Sequence, residues 1–273
     1  MNRSNLVGAF LCVVAFLTVF ALSDGAGHFL NVVGLLIVIS GTCGASLLSY
    51  PFDDLTAAWR VALRSYSVRA PTAHQVIDTL LQLAVKSRKE GILALRDDEK
   101  KIEVSYLKDA LGMMVDGFDR HELRAMLESE TRFFQRRRER HERVFRHMAR
   151  LAPAFGVTGS VVGLIGMVSG IGDTTVILKA IPLALTSTLY GIVLCNFLLI
   201  PIAESIHFKT RRELMMQQLV LEGVMAIVDE DDPLKLERRL ISFLTPGQRA
   251  GKQMTFKQIR RRYHTMRPGR EPA

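Results

Sequence analysis

Ser160, Ser187 and Thr188 are hydroxyl side chains set in two long apolar blocks, Leu151–Ile171 and Ile181–Ala203, that contain no Asp, Glu, Lys or Arg. A hydroxyl in such surroundings either bonds to a neighbouring helix or borders a space that holds water or an ion. Its neighbours narrow the choice. At about 100° per residue, Gly156, Gly159, Gly163, Gly166 and Gly170 fall within an arc of roughly 80°, with Ala152 on the same face and Ser160 at its border. In the next block Ala180, Ala184, Ser187, Thr188, Gly191 and Cys195 share an arc of about 100°. Helices in lipid associate by close packing and interhelical hydrogen bonds, so small residues collect at contacts. Two such stripes serve either helix pairing alone or a sleeve around a further helix, with room for water or an ion. Proton relays need an ionisable group in the membrane. These blocks have none, so a carboxylate that carries protons here must come from a partner.

The elements that hold these stripes are membrane spans. The 273 residues are 48% hydrophobic yet 23% charged, and the two kinds of residue are segregated. Four apolar blocks, Leu6–Leu22, Phe29–Leu48, Leu151–Ile171 and Ile181–Ala203, have the roughly 17–25 residues that cross a bilayer. The first also has features of a cleaved signal, with Arg3 ahead and Ala21 and Ser23 behind; a second apolar block so close behind favours a membrane hairpin. The loop Ser23–His28 has no Lys or Arg and Gly172–Ala180 has only Lys179, whereas Pro51–Arg150 holds about twenty. Cationic loops stay in the cytoplasm. The expected fold is therefore an all-α integral membrane protein. Four transmembrane helices, with both termini cytoplasmic, extend into a cytoplasmic helical domain. The expected divisions are 1–50 (two spans), 51–150 (cytoplasmic helices), 151–204 (two spans), 205–245 (cytoplasmic helices) and 246–273 (a basic, disordered tail).

The net charge of +9 reads as a topology signal and as contact with anionic lipid heads; no nucleic-acid motif accompanies it. Cys12, Cys43 and Cys195 lie in the spans without metal spacing or an implied disulfide. No catalytic arrangement, metal spacing or phosphate loop is present, so the sequence indicates neither an enzyme nor a cofactor. In the cytoplasmic part, Thr72 caps a helix expected to reach about Leu95, interrupted near its end by Gly91, and a second helix is expected over Glu99–Val115. Asp119 and Glu122 form a capping-box pattern that opens a long helix running into the third span. Ser205–Val228 leaves the fourth span as a helix, and Asp232-Pro233 starts a short one.

At "SRKEGILALR" (87–96), "LAPAFGVTGSVVGLIGMV" (151–168) and "PLALTSTLYGIVLCNFLLIPIAE" (182–204) the chain resembles the MotA/PomA flagellar stator family, within the wider MotA/TolQ/ExbB group. The resemblance runs to about Leu244. It implies a protein of the bacterial inner membrane, a homopentamer of A-type subunits around two copies of a B-type subunit whose single span carries an aspartate. Flow of H+ or Na+ then turns the ring, which drives a rotor through the switch protein FliG. It further implies that Pro153 and Pro201 are the family prolines that matter for torque. Ser160, Ser187 and Thr188 match hydroxyls along the ion path, and Arg88 matches a rotor contact. Gly156, Gly159, Gly163, Gly166, Gly170, Ala184 and Gly191 are left to helix packing. Arg96 stands where the family usually has glutamate, and Lys179 and Pro182 replace residues that are usually small or apolar. The charge reversal at Arg96 leaves open a related ion-driven motor with another output, such as envelope transport, gliding or defence. A passive membrane scaffold is the reading from another class.

Overall fold

The computed structural model describes residues 30–67, 71–99, 102, 104–244, 246 and 247, with single positions 8, 11, 12, 14, 15, 18 and 22. The expected first span therefore lies mostly outside the described residues, as does nearly all of the basic tail. The described elements are helices, with no strand among them: α1 (Val32–Ser49), α2 (Phe52–Ser67), α3 (Ala73–Glu90), a 3-10 turn (Ile92–Leu95), α4 (Arg96–Glu99), α5 (Ser105–Val115), α6 (Arg120–Ser169), α7 (Thr174–Val193), a π-helical turn (Leu194–Leu199), α8 (Ile200–Val228) and α9 (Pro233–Ile241). Three helical stretches are long and apolar enough to cross a membrane: α1, α6, and the continuous run Thr174–Val228.

The chain divides into two units. One is Met1–Val68 with Arg137–Lys209; the other is Arg69–Arg136 with Thr210–Ala273. In the first unit, Leu55, Ala58 and Ala62 of α2 share a buried cluster with Val144, Phe145 and Met148 of α6 and with Ile202, Ala203 and Ile206 of α8. Trp59 meets Phe145 edge-on, with ring centroids 5.2 Å apart. Three prolines lie within the long helical stretches: Pro153 in α6, Pro182 in α7 and Pro201 at the start of α8. Proline has no N–H, and its ring crowds the carbonyl four residues back. At Pro201 that carbonyl belongs to Phe197, inside the π-helical turn Leu194–Leu199; widening the helix there relieves the clash and re-pairs the backbone. Around Pro153, α6 stays helical, with the Ala149 carbonyl deprived of its usual donor.

The second unit is built on α3, α5, the first turns of α6, the last turns of α8, and α9. Ile77, Leu80, Leu81, Leu107, Leu111, Leu123, Leu219, Val224 and Leu240 fill its core. The caps anticipated from the sequence are in place. Thr72 and Gln75 form a reciprocal capping box on α3. Asp119 accepts from the His121 N–H at 3.1 Å, while Glu122 accepts from the Asp119 N–H at 3.3 Å. Asp232 accepts from the Leu234 N–H ahead of α9, with Pro233 in its first turn. Two boundaries differ from expectation. α3 stops at Glu90 rather than near Leu95, because Gly91 takes φ +83°, which reverses the helical path and which only glycine adopts without cost. The helix expected over Glu99–Val115 is split, with Val104 extended ahead of α5 and its side chain packed, like that of Ile102, on the core. Arg120 and Asp229 pair at 2.9 Å across α6 and the end of α8. The guanidinium holds the Asp229 carboxyl below its ordinary range. Both groups are about a third exposed, so the pair adds little to stability.

Tyr106 is the more consequential titrating group in this unit. Its hydroxyl donates to the Leu127 carbonyl at 3.0 Å and shares a 3.0 Å contact with the Thr131 hydroxyl. Burial pushes its pKa from 10 up to about 12. Below pH 10 both folded and unfolded chains keep the proton and the contribution is intact. Above it the unfolded chain ionises first, and stability falls until the folded tyrosine titrates. Denaturant melts of the intact protein should lose on the order of 2 kcal/mol between pH 10 and 12 from this group, and Tyr106→Phe should remove that part of the slope.

Candidate functional site

The site lies where α6 and α7 cross. Glycine on one helix repeatedly faces backbone on the other. A methyl group built on Gly163 would lie 2.7 Å from the Ala184 nitrogen, and one on Gly191 would lie 2.6 Å from the Ala152 carbonyl oxygen and 3.1 Å from Pro153 Cα. One on Gly156 would sit 3.0 Å from the Ser187 carbonyl oxygen and 3.2 Å from Thr188 Cα. These separations are below ordinary carbon contact, so the small residues are what allows the two backbones to meet. α1 joins the same crossing: a methyl on Gly34 would meet the Ser187 hydroxyl at 2.7 Å, and the ring of Phe155 fills the space over Gly41. Of the two uses the sequence leaves open for the glycine stripe, helix pairing or a sleeve around a further helix, most of its length in this structure is taken up by α7 of the same chain. Gly166 has only the Ala180 methyl, at 4.0 Å, and Gly170 meets Val176 at the outer turn.

The close approach brings two of the three hydroxyls together. Ser160 Oγ and Thr188 Oγ1 are 2.6 Å apart. Ser160 also reaches the Ala184 carbonyl across the crossing and the Gly156 carbonyl at 3.3 Å; Thr188 reaches Gly156 at 3.4 Å. Both side chains are half-buried. Each hydroxyl has one proton and two lone pairs. If Ser160 donates to Ala184 and Thr188 donates to Ser160, three lone pairs remain on adjacent oxygens, with carbonyls close by. Such an oxygen cluster suits a cation better than an anion. Ser187 is placed differently. It donates to the Leu183 carbonyl of its own helix at 2.6 Å and is fully buried between Gly34 of α1 and Gly159 of α6.

Further residues complete the frame of the site. Tyr190 Oη accepts from the Asn31 N–H at 2.8 Å, while Asn31 caps α1 through the Gly34 N–H at 3.0 Å. Asp173 caps α7 by accepting from the N–H and hydroxyl of Thr175 at 2.9 and 2.6 Å, so this helix starts at Thr174, inside the expected loop Gly172–Ala180. The Asp-Thr pair was the available signal. Toward the far ends of the same helices, Arg146 bonds Glu142 and Glu204, both at 2.8 Å, and His207 Nδ1 lies 3.0 Å from Glu142. Only the Glu142/Arg146 spacing was visible in sequence. Arg88 and Arg96 belong to the other unit. Arg88 is exposed in the last turn of α3 and Arg96 at the start of α4. The bridge from Lys86 to Asp98, 2.6 Å long, ties these two helices together. Among the described residues no cluster of His, Cys, Asp and Glu could hold a metal ion.

Residues 98–219 match the model of the MotA/TolQ/ExbB proton channel family. The chain is also 30% identical over 246 residues to the chemotaxis protein PomA of Vibrio alginolyticus, covering 90% of this chain and 95% of that one. The chain belongs to the MotA/PomA family. Motility protein A of Borreliella burgdorferi is another relative in the family, 30% identical over 92% of this chain and 96% of its own. The fold agrees as well: the MotAB stator complex of Bacillus subtilis superposes with a TM-score of 0.83 at 24% identity, over 93% of this chain and 99% of that one. In this MotA/PomA chain, therefore, the α6–α7 crossing lies within the segment that the proton channel model matches.

The glycine contacts differ enough to be separated by substitution. Gly163→Ala sets a methyl against immovable backbone and should cost about 1–3 kcal/mol. Gly166→Ala, which meets nothing closer than ordinary contact, should stay within about 0.5 kcal/mol. Thermal denaturation of both variants in the same detergent checks the order.

Proposed function

We propose that this chain is the A-type subunit of a flagellar stator, which forms an ion channel with a B-type subunit and converts H+ or Na+ flow into rotation. The observation that carries the reading is the Ser160–Thr188 oxygen pair, held at 2.6 Å on two membrane-length helices that bear no carboxylate between Arg150 and Asp173 or between Thr174 and Ala203. The chain supplies neutral oxygens; the partner's membrane aspartate supplies the charge. An ion arriving from the periplasm exchanges water for these oxygens and neutralises the aspartate. That releases the aspartate's electrostatic hold on one ring position, and the ring steps to the next. Each elementary charge that crosses yields about 2.3 kcal/mol per 100 mV, several times thermal energy.

The reading includes four spans, with Leu6–Leu22 as the first, both termini in the cytoplasm of a bacterium, and a ring of identical chains, a pentamer, around the partner. Pro153 and Pro201 mark the places in α6 and α8 where the helix yields most easily, so they pass a change at the hydroxyl pair toward the cytoplasmic ends. Ser187, locked between α1 and α6, supports the ion path through packing rather than by contact with the ion. Arg88 and Arg96 present like charge to a rotor protein, so the matching rotor site is acidic at both points. Arg96 is also the observation that favours a second reading, in which the same ion-driven ring serves a non-flagellar output.

Thr188→Val keeps the shape and removes the oxygen. Ion flux through the assembled complex should fall several-fold while membrane accumulation stays unchanged, and Thr188→Ser should restore flux. Undiminished flux in Thr188→Val would exclude this ion path.

A further inference from the structure

Moving from the hydroxyl pair toward Arg150 and Pro201, the first carboxylates are Glu142 on α6 and Glu204 on α8; residues 143–159 and 189–203 contain neither Asp nor Glu. Both lie about 25 Å from the pair along their helices, and one side chain joins them. Arg146 bonds each at 2.8 Å. The other oxygen of Glu142 is 3.0 Å from His207 Nδ1. The Glu142 side chain is only 13% exposed and that of His207 35%. A carboxylate only accepts, so Nδ1 of the neutral ring carries the proton and Nε2 is its basic nitrogen. Two carboxylates facing one guanidinium leave one negative charge in excess while His207 is neutral, and protonation of the ring cancels it. Further cations lie along the same helices: Arg138 one turn before Glu142, Lys209, and Arg211 one turn beyond His207. From α2, the third helix packed here, Asp54 is held by Arg140 at 3.6 Å, while Asp53 and Arg60 are exposed. Coulombic interaction falls with distance, so the directly bonded Glu142 outweighs charges a turn or more away.

We propose that the Glu142–His207 pair is a second proton-binding site, on the cytoplasmic side, and that its occupation clamps α6 to α8. This rests on the reading above that the hydroxyl pair borders the ion path and that these ends of the helices face the cytoplasm. A proton from cytoplasmic water adds to Nε2, the Nδ1 proton stays on Glu142, and the ring becomes an imidazolium. The contact to Glu142 is then an ion pair, and bonds between two charged groups are the strong ones. Its place gives the clamp a mechanical effect. Pro153 follows Arg146 by about two turns, and Pro201 precedes Glu204 by about one, so both prolines lie between the clamp and the hydroxyl pair. Tightening α6 against α8 restrains the helices where they yield most easily. Protons that accumulate in the cytoplasm thereby slow the ring that delivers them.

Hydrogen exchange of the complex with its membrane partner, in nanodiscs, reads the clamp without ion flow. Imidazole changes charge between about pH 8 and 5.5. After correction for intrinsic exchange rates, amides flanking Pro153 and Pro201 should be several-fold better protected at the lower pH. The gain should be absent in His207→Asn and in Glu142→Gln. Flux through the same complex in liposomes, at equal pH on both sides and fixed voltage, gives a second reading. Expressed relative to His207→Asn, so that proton supply cancels, it should fall several-fold over the same interval. His207→Lys, which keeps its charge, should be slow at both ends of it. Protection that is unchanged by pH, or that rises equally in His207→Asn, would overturn the proposal, and so would a flux ratio that stays flat. Either failure with flux present leaves the stator reading standing, whereas the expected protection with no flux in the unsubstituted complex would count against the stator reading alone.

Discussion

At Gly191 the backbone of α7 comes so near the Ala152 carbonyl that a methyl group would lie 2.6 Å from it, and at Gly163 the α6 backbone stands equally close to Ala184. In water a glycine inside a helix is a loss of roughly 1 kcal/mol relative to alanine. In lipid, where burying an apolar side chain against another gains little, the loss is offset by dispersion contacts along the whole crossing. The remaining features of the membrane part follow from this approach. It puts the Ser160 and Thr188 oxygens at 2.6 Å, presses Ser187 against α1, and brings the Pro153 backbone onto Gly191. Enlarging Gly163 or Gly191, which meet backbone across the crossing, would push the two helices apart and with them the Ser160 and Thr188 hydroxyls.

Much of this was legible because the bilayer simplifies the code. Runs of apolar residues without charge mark α1 and the membrane parts of α6, α7 and α8, and Thr72, Asp119 and Asp232 mark helix starts by local hydrogen bonding. The small-residue stripes were visible as periodicity. Their partner was not: an arc of glycines says that something approaches closely, and gives no information on whether it is a helix of the same chain or of another. Ser187 shows the same limit. It neighbours Thr188 in sequence, but one residue is a 100° turn of the helix, enough to put one hydroxyl in the crossing with Ser160 and the other against Gly34. The π-helical turn before Pro201 was legible only as a proline in a helix, and the link from Arg146 to Glu204 joins residues far apart in the chain. Nor does periodicity distinguish φ +83° at Gly91 from the helical glycines elsewhere.

The distribution of charge frames the function. Charged side chains crowd the segments outside the spans, while the crossing offers only hydroxyl and carbonyl oxygens. A cation passing such a place meets dipoles that replace some of its water but no group that holds it. In the proposed mechanism, selectivity and strong binding are left to a carboxylate on another polypeptide, and that separation would let the binding group move relative to the oxygens. In that proposal this MotA/PomA chain contributes half of the site.

The most direct measurement of that claim is ion flux into liposomes that hold either this chain alone or the chain together with its B-type partner, under an imposed voltage. The account predicts no flux above lipid background for the chain alone, and flux for the complex that disappears when the partner's membrane aspartate is replaced by asparagine. Flux through the chain alone, or through the complex lacking that aspartate, would contradict it.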